Sequence, residues 1–136
     1  MPEENSRFEI FELLYTSQDA MKMTVQEARK LAKSASVQNA KLGITGMLVF
    51  DGERFCQHLE GAPEAIRKMF EKILRDPRHA DIRVLVSGSS NLRKFKNFSM
   101  GFASLGDVDL LRELVVLEGD RAMRAFAGLV PLIEIK

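Results

Sequence analysis

The chain has no tryptophan, one tyrosine (Tyr15), one cysteine (Cys56) and two histidines (His58 and His79) among its 136 residues. A single cysteine excludes a disulfide within the chain. Cys56 and His58 share a predicted strand and His79 lies far along the sequence, a poor kit for a zinc site that needs clustered ligands. No apolar run approaches the roughly 20 residues of a membrane-spanning helix. Neither sign of charge dominates: 20 basic and 19 acidic side chains leave a formal +1. That balance offers no electrostatic footprint for nucleic acid or for an anionic membrane. The opening MPEENSRFEIF is acidic and polar before it turns apolar. A secretory signal needs the reverse order, so a cytoplasmic location is expected.

What remains is 46% hydrophobic and 29% charged, the balance of one globular domain with a single core. Phe8 to Thr16 (FEIFELLYT) alternates in part and fits a half-buried strand. Thr24 and Glu27 form a capping box, and Val25, Ala28, Leu31, Ala32 and Ala35 recur at helical spacing, predicting a helix from Val25 to Val37. Gly46 to Phe50 and Arg54 to Leu59 flank Asp51-Gly52, a pair that tolerates the positive φ angles of a tight hairpin. Pro63 opens a second helix with Ile66, Met69, Phe70, Ile73 and Leu74 on one face, ending near Asp76-Pro77. Ile82 to Val86 reads as a fourth strand, Ser87 to Leu92 as a polar loop and Phe95 to Ala103 as a fifth strand.

The order β-α-β-β-α-β-β predicts an α+β, ferredoxin-like sheet with two helices on one face. Asp107 to Leu117 and Arg121 to Ala127 read as short helices for the other face or for a subunit contact. This divides the chain into a sheet domain, 1–104, and a helical extension, 105–136, packed on it. The apolar face of Val108, Leu111, Val115 and Val116 could self-associate into a homo-oligomer.

The third predicted strand, FCQHLEG, places Phe55, Gln57 and Leu59 on one face and Cys56, His58 and Glu60 on the other. A glutamine between Phe and Leu is expected in the core, where its carbonyl and its NH₂ both need partners. Nearby backbone could supply them. Tyr15 shares a face with Phe11 and Leu13, and its hydroxyl also wants a partner. Met100 shares one with Phe98 and Phe102. Asn39 follows the first helix as a plausible C-cap. Lys72 alone reads as a solvated helix lysine, and Arg78 and His79 as a surface turn. His58 is expected to pack at the core edge or against the tail, and Cys56 to act as a small buried hydrophobe. Lys94 and Lys96 read as a charged edge that discourages strand pairing.

LLYTSQ with Tyr15, QNAKLGITGMLVFDGERFCQHLEG with Asn39 and Gln57, RDPRH at Arg75 to His79, and NFSMGF with Met100 together resemble the BLUF family of blue-light sensors using FAD. The resemblance runs from about Glu9 to Ala103. It implies that 1–104 is a flavin-binding domain and that Gln57 lies between the flavin N5/O4 edge and the Tyr15 hydroxyl. Asn39 would bond the O4/N3 edge, Lys72 would face O2, and Asp76, Arg78 and His79 would lie by the ribityl and phosphate side. It implies that light draws an electron and a proton from Tyr15, that both return, and that the hydrogen bonds around Gln57 are left changed. Phe98, Ser99 and Met100 would relay this to the C-terminal helices and then to a downstream signalling protein by noncovalent contact, without catalysis. Many members carry tryptophan two residues before the strand-five methionine. Phe98 stands there in this chain, so a relay by a moving indole cannot apply unchanged and a competing electron donor is missing. Two other classes compete: a flavin-free ferredoxin-like small-molecule regulator, and an acylphosphatase-like hydrolase. The hydrolase would need an arginine and an asparagine at a phosphate-cradling loop, and no glycine-rich loop lies near Tyr15.

Overall fold

The computed structural model describes residues 9–95, 99–104, 109–114 and 116–129. Its elements are β1 (Ile10–Asp19), α1 (Val25–Leu42), β2 (Thr45–Phe50), β3 (Arg54–Gly61), α2 (Pro63–Arg75), β4 (His79–Ser90), β5 (Gly101–Ser104), α3 (Asp109–Leu114) and α4 (Gly119–Leu129). The sheet order is β4-β1-β3-β2-β5. β1 is antiparallel to β3 and β4, β2 is antiparallel to β3, and β5 runs parallel to β2. This is the ferredoxin-like α+β plan with a fifth strand added at one edge.

Local chemistry sets the joints. The Thr24 hydroxyl accepts the Glu27 N–H at 3.1 Å and the Glu27 carboxylate accepts the Thr24 N–H at 2.9 Å, completing the capping box. At the β2–β3 hairpin, Asp51 Oδ1 accepts the N–H groups of Glu53 (2.8 Å) and Arg54 (2.6 Å) around Gly52, whose φ is +97°. Gly46 is required for another reason: a Cβ there would lie 1.9 Å from the His58 carbonyl oxygen.

Strand alternation splits the apolar residues between two faces. Leu13, Tyr15, Leu48, Phe50, Phe55 and Leu59 pack with Ala28 and Ala32 of α1 and with Ile66 and Met69 of α2. Leu14, Met47, Val49 and Cys56 pack with Leu111 and Leu114 of α3 and with Ala122 and Phe126 of α4. Each sheet face is thereby covered by a helical layer.

Several boundaries differ from expectation. α1 continues past Val37 to Leu42, ending where Gly43 adopts φ +69° and the Ile44 N–H reaches back to the Asn39 carbonyl at 2.9 Å. Asn39 is therefore a buried residue inside the helix, not its cap. Ser87 to Ser90 is strand rather than loop, because β1 pairs with it as far as Ile10↔Ser90. β5 spans only Gly101–Ser104. Phe95 belongs to the connection before it, and Phe98 lies outside the described residues. Leu111 is buried under the sheet while Val116 is exposed, so these two do not share an apolar face. Val108 and Val115 lie outside the described residues. Among the described residues no helix is long and apolar enough to cross a membrane, and no cluster of ligand-bearing side chains could hold a metal ion.

Candidate functional site

The register of the sheet assembles the site. Tyr15 on β1 lies directly opposite Gln57 on β3, Gln57 lies opposite Leu48 on β2, and Leu48 pairs with Phe102 on β5. Facing pairs project to one side of a sheet, so this row forms a floor beneath α1 and α2. Above it lies a cavity of about 240 Å³. α1 contributes Leu31, Ser34, Ala35, Gln38 and Asn39, and α2 contributes Met69, Lys72 and Ile73. The turn after α2 adds Asp76, Arg78 and His79, and the floor adds Leu48 and Gln57. Small-ligand pockets run to about 300–1,000 Å³, so this space suits a ring system whose longer substituent extends beyond it.

Three buried side chains form a chain of contacts across the floor. The Tyr15 hydroxyl donates to Gln57 Oε1, and Gln57 Nε2 lies 3.5 Å from Met100 Sδ. Tyr15 is fully buried, and that burial raises its phenol above the ordinary range. The ground-state proton thus stays on Oη. Its ring packs against Phe70 at 5.9 Å and His79 at 6.3 Å between centroids.

Asn39 is 1% exposed. Its Nδ2 donates to the Ser99 carbonyl at 2.9 Å, whereas its Oδ1 has no partner among the described residues. A buried acceptor left unpaired costs about 1–3 kcal/mol. The orphan therefore points to a ligand donor in the cavity. Ring nitrogens and carbonyls of a flavin suit the donor and acceptor set offered by Asn39 and Gln57, and the apolar walls suit its face.

At the far end, Arg78 Nη2 meets Asp76 Oδ2 at 2.6 Å. The hydrogen bond from Arg78 holds Asp76 below the usual carboxylate range, and the same contact raises Arg78. Lys72 is largely exposed but lines the cavity. His79 is not a surface turn. Its Nδ1 shares a 2.7 Å hydrogen bond with the Ser17 hydroxyl, and its ring meets Phe55 at 5.1 Å. Burial pushes its imidazole below the ordinary histidine range. The unfolded chain takes up a proton near pH 6.5, while the folded chain resists until lower pH. Stability from this group is therefore present above pH ~6.5 and lost as pH falls through the lower folded value. Wild-type melting temperature should drop more steeply between pH 7 and 5 than that of His79→Gln. Parallel curves would show that His79 does not contribute. Asp76 and Glu12, both held low by hydrogen-bonded partners, act only at more acidic pH.

The structure thus gathers Asn39, Gln57, Lys72, Asp76, Arg78 and His79 around one cavity, with Tyr15 behind Gln57 and with Ser99 and Met100 touching Asn39 and Gln57. Phe98 lies outside the described residues. Sequence reasoning missed Ser34 and Gln38. Both share the α1 face of Leu31, Ala35 and Asn39, and that three-to-four-residue spacing could have found them.

The BLUF family, described as sensors of blue-light using FAD, matches residues 10–101. The blue light- and temperature-regulated antirepressor BluF of Escherichia coli (strain K12) is 31% identical over 88 residues, 65% of this chain and 22% of that protein. Photoactivated adenylate cyclase subunit beta of Euglena longa is 37% identical over 70 residues, 52% of this chain and 8% of that one. The chain thus spans about a fifth or less of the length of these relatives. The dark-state structure of BlrB, a BLUF protein, matches with a TM-score of 0.77 at 28% identity, covering 90% of this chain and 95% of that one. The ground state of BlsA matches with a TM-score of 0.78 at 26% identity, covering 93% and 91%. With a family match that runs from β1 through β4 and takes in both cavity helices, this chain belongs to the BLUF family of blue-light sensors that use FAD.

Proposed function

We propose that the chain is a blue-light photoreceptor in which Tyr15 and Gln57 make the switch, and in which Ser99, Met100 and β5 pass it to the C-terminal helices and a downstream protein. The observation that carries this reading is the buried Tyr15–Gln57–Met100 chain at the floor of the cavity. Asn39 and Gln57 would hold the polar edge of the ring. Lys72 would face its other carbonyl, and Asp76, Arg78 and His79 would flank the ribityl and phosphate side. FAD, when bound, would supply the light-driven electron acceptor.

The protein's part is proton management. Tyr15 Oη has Gln57 Oε1 as its acceptor. A phenol that loses an electron becomes strongly acidic, so its proton moves along this bond and returns when the electron does. Gln57 can come back in a different orientation or tautomer, because one rotatable amide carries both an acceptor and two donor hydrogens. Met100 takes one of those hydrogens, leaving the second to serve an occupant of the cavity. The net chemistry is zero and the lasting change is structural, which fits a sensor rather than a catalyst.

Magnitudes limit the output. Moving a two-state element from 1:99 to 99:1 takes about 5.5 kcal/mol, whereas one neutral hydrogen bond contributes roughly 0.5–1.5 kcal/mol. Packing must add to it. Met100 is buried beside Phe102 in the cavity-side core, so its displacement disturbs packing as well as one bond. The unit 1–104 would bind flavin, and 105–136 would form the extension through which a partner is contacted. Met100→Ala should keep the light-induced red shift of flavin absorbance and lose the light-dependent change in hydrogen exchange across the C-terminal helices. A tail response equal to wild type would remove Met100 from the relay, and a wild-type chain with FAD but no shift would remove the photoreceptor reading.

A further inference from the structure

The sheet face opposite the cavity carries a polar cluster, with Glu12, His58 and Glu60 buried and Lys94 exposed, for which the photochemistry has no use. Gln57 and His58 are neighbours on β3, and alternation sends them to opposite faces. His58 is fully buried. Its Nε2 lies 3.0 Å from Glu12 Oε1 on β1, and the same oxygen accepts from Lys94 Nζ at 2.8 Å. Glu60, also fully buried, accepts the backbone N–H groups of Lys94 (2.8 Å) and Phe95 (2.6 Å) and the Thr45 hydroxyl (3.1 Å). Arg93 Nη1 donates to the Glu60 carbonyl at 3.0 Å and to Thr45 Oγ1 at 2.9 Å.

Three consecutive residues after β4 are thus gripped by the sheet. Lys94 is exposed, as its sequence context suggests, but its ammonium is tied to Glu12. A few residues on, the same connection is held on the cavity side, where Ser99 meets Asn39 and Met100 meets Gln57. The cluster also touches the helical layer. The His58 ring lies 5.2 Å from Phe95 and 6.2 Å from Phe126 of α4, and Phe95 lies 5.9 Å from Phe126. The buried carboxylates of Glu12 and Glu60 each hold a group of this connection, and the best-attested use of such buried charged groups is to fix one arrangement.

We propose that Glu12, His58, Glu60 and Lys94 clamp the β4–β5 connection, so that a change at Gln57 and Met100 is levered through Phe95 onto Phe126 of α4. This rests on the light-sensing reading above. With the clamp closed, Phe95 stays seated against His58 and Phe126, so a shift that reaches it presses on α4. With the clamp open, Phe95 loses that fixed seat and the shift does not reach α4.

The test uses the full chain loaded with FAD and the variants Lys94→Met, Glu12→Gln and Glu60→Gln. The light-induced spectral shift should persist in each, while the light-minus-dark difference in hydrogen exchange across Gly119–Leu129 is lost. A merely structural clamp would raise exchange in dark and light alike and leave the difference intact, which overturns the proposal. If Glu60→Gln does not fold, Lys94→Met decides, because Lys94 is exposed and its loss leaves the Glu60 contacts to the backbone in place. A wild-type chain without a spectral shift sinks the light-sensing reading and the clamp with it. A normal wild-type shift with an unaltered α4 response in the variants sinks the clamp alone.

Discussion

Replacing Tyr15 with phenylalanine is expected to abolish the reversible red shift under blue light while FAD stays bound. The hydroxyl is the only polar atom of a fully buried ring packed against Phe70 and His79, so phenylalanine fills the same space. What is lost is a readily oxidised phenol and the proton it hands to Gln57. Gln57 Oε1 is left without that donor, at a cost of about 1–3 kcal/mol. A domain stable by about 5–15 kcal/mol tolerates this. Gln57→Leu should give the same loss by the other route, since leucine offers neither an acceptor to Tyr15 nor a rotatable amide. Light-minus-dark absorbance of each flavin-loaded variant is the measurement. A shift of wild-type size in both would overturn the assignment of the switch.

Asn39→Leu is expected to weaken FAD binding by about 5- to 150-fold, the equivalent of the roughly 1–3 kcal/mol at stake when a buried polar group lacks its partner. In the wild-type chain Asn39 Oδ1 stands buried and unpaired among the described residues, and a ligand donor would relieve it. Leucine removes the orphan and with it the reason to bind. The variant also loses the bond to the Ser99 carbonyl, so its stability without FAD balances two opposing changes. The decisive quantity is the increment in melting temperature that added FAD produces, because ligand stabilisation grows as the logarithm of concentration over Kd. That increment should shrink in the variant. Titration of FAD by fluorescence gives Kd directly, and an unchanged Kd would mean that Asn39 does not face the ligand.

Much of the fold was open to sequence reasoning because its joints are local. Thr24 and Glu27 lie three residues apart and close their capping box within one helical turn. Asp51-Gly52 shapes a hairpin whose strands are adjacent in the chain. Alternation alone separates Gln57 from His58. Where local signals ran out, boundaries slipped. Ser87 to Ser90 carries polar residues typical of a loop, and it is strand because β1 offers it a pairing edge. Asn39 resembled a cap because the αL turn that ends α1 comes later, at Gly43.

The site divides along the same line. Resemblance could name Tyr15, Asn39, Gln57 and Met100, and composition could say that a buried amide needs two partners. No turn joins β1 to β3, so the register that sets Tyr15 opposite Gln57 is a matter of tertiary pairing and not of a local signal. The orphaned Oδ1 of Asn39 exists only once Ser99 occupies Nδ2 from 60 residues away. The cluster of Glu12, His58, Glu60 and Lys94 left no sequence signal, because its members come from two strands and a connection up to 82 residues apart. By itself the sequence determined which backbone turns form and which side chains share a face, since both follow from neighbours in the chain. Which polar atoms meet, and which is left waiting for a ligand, was decided by tertiary packing, because hydrogen bonds act over about 3 Å and only the folded chain brings distant residues that close.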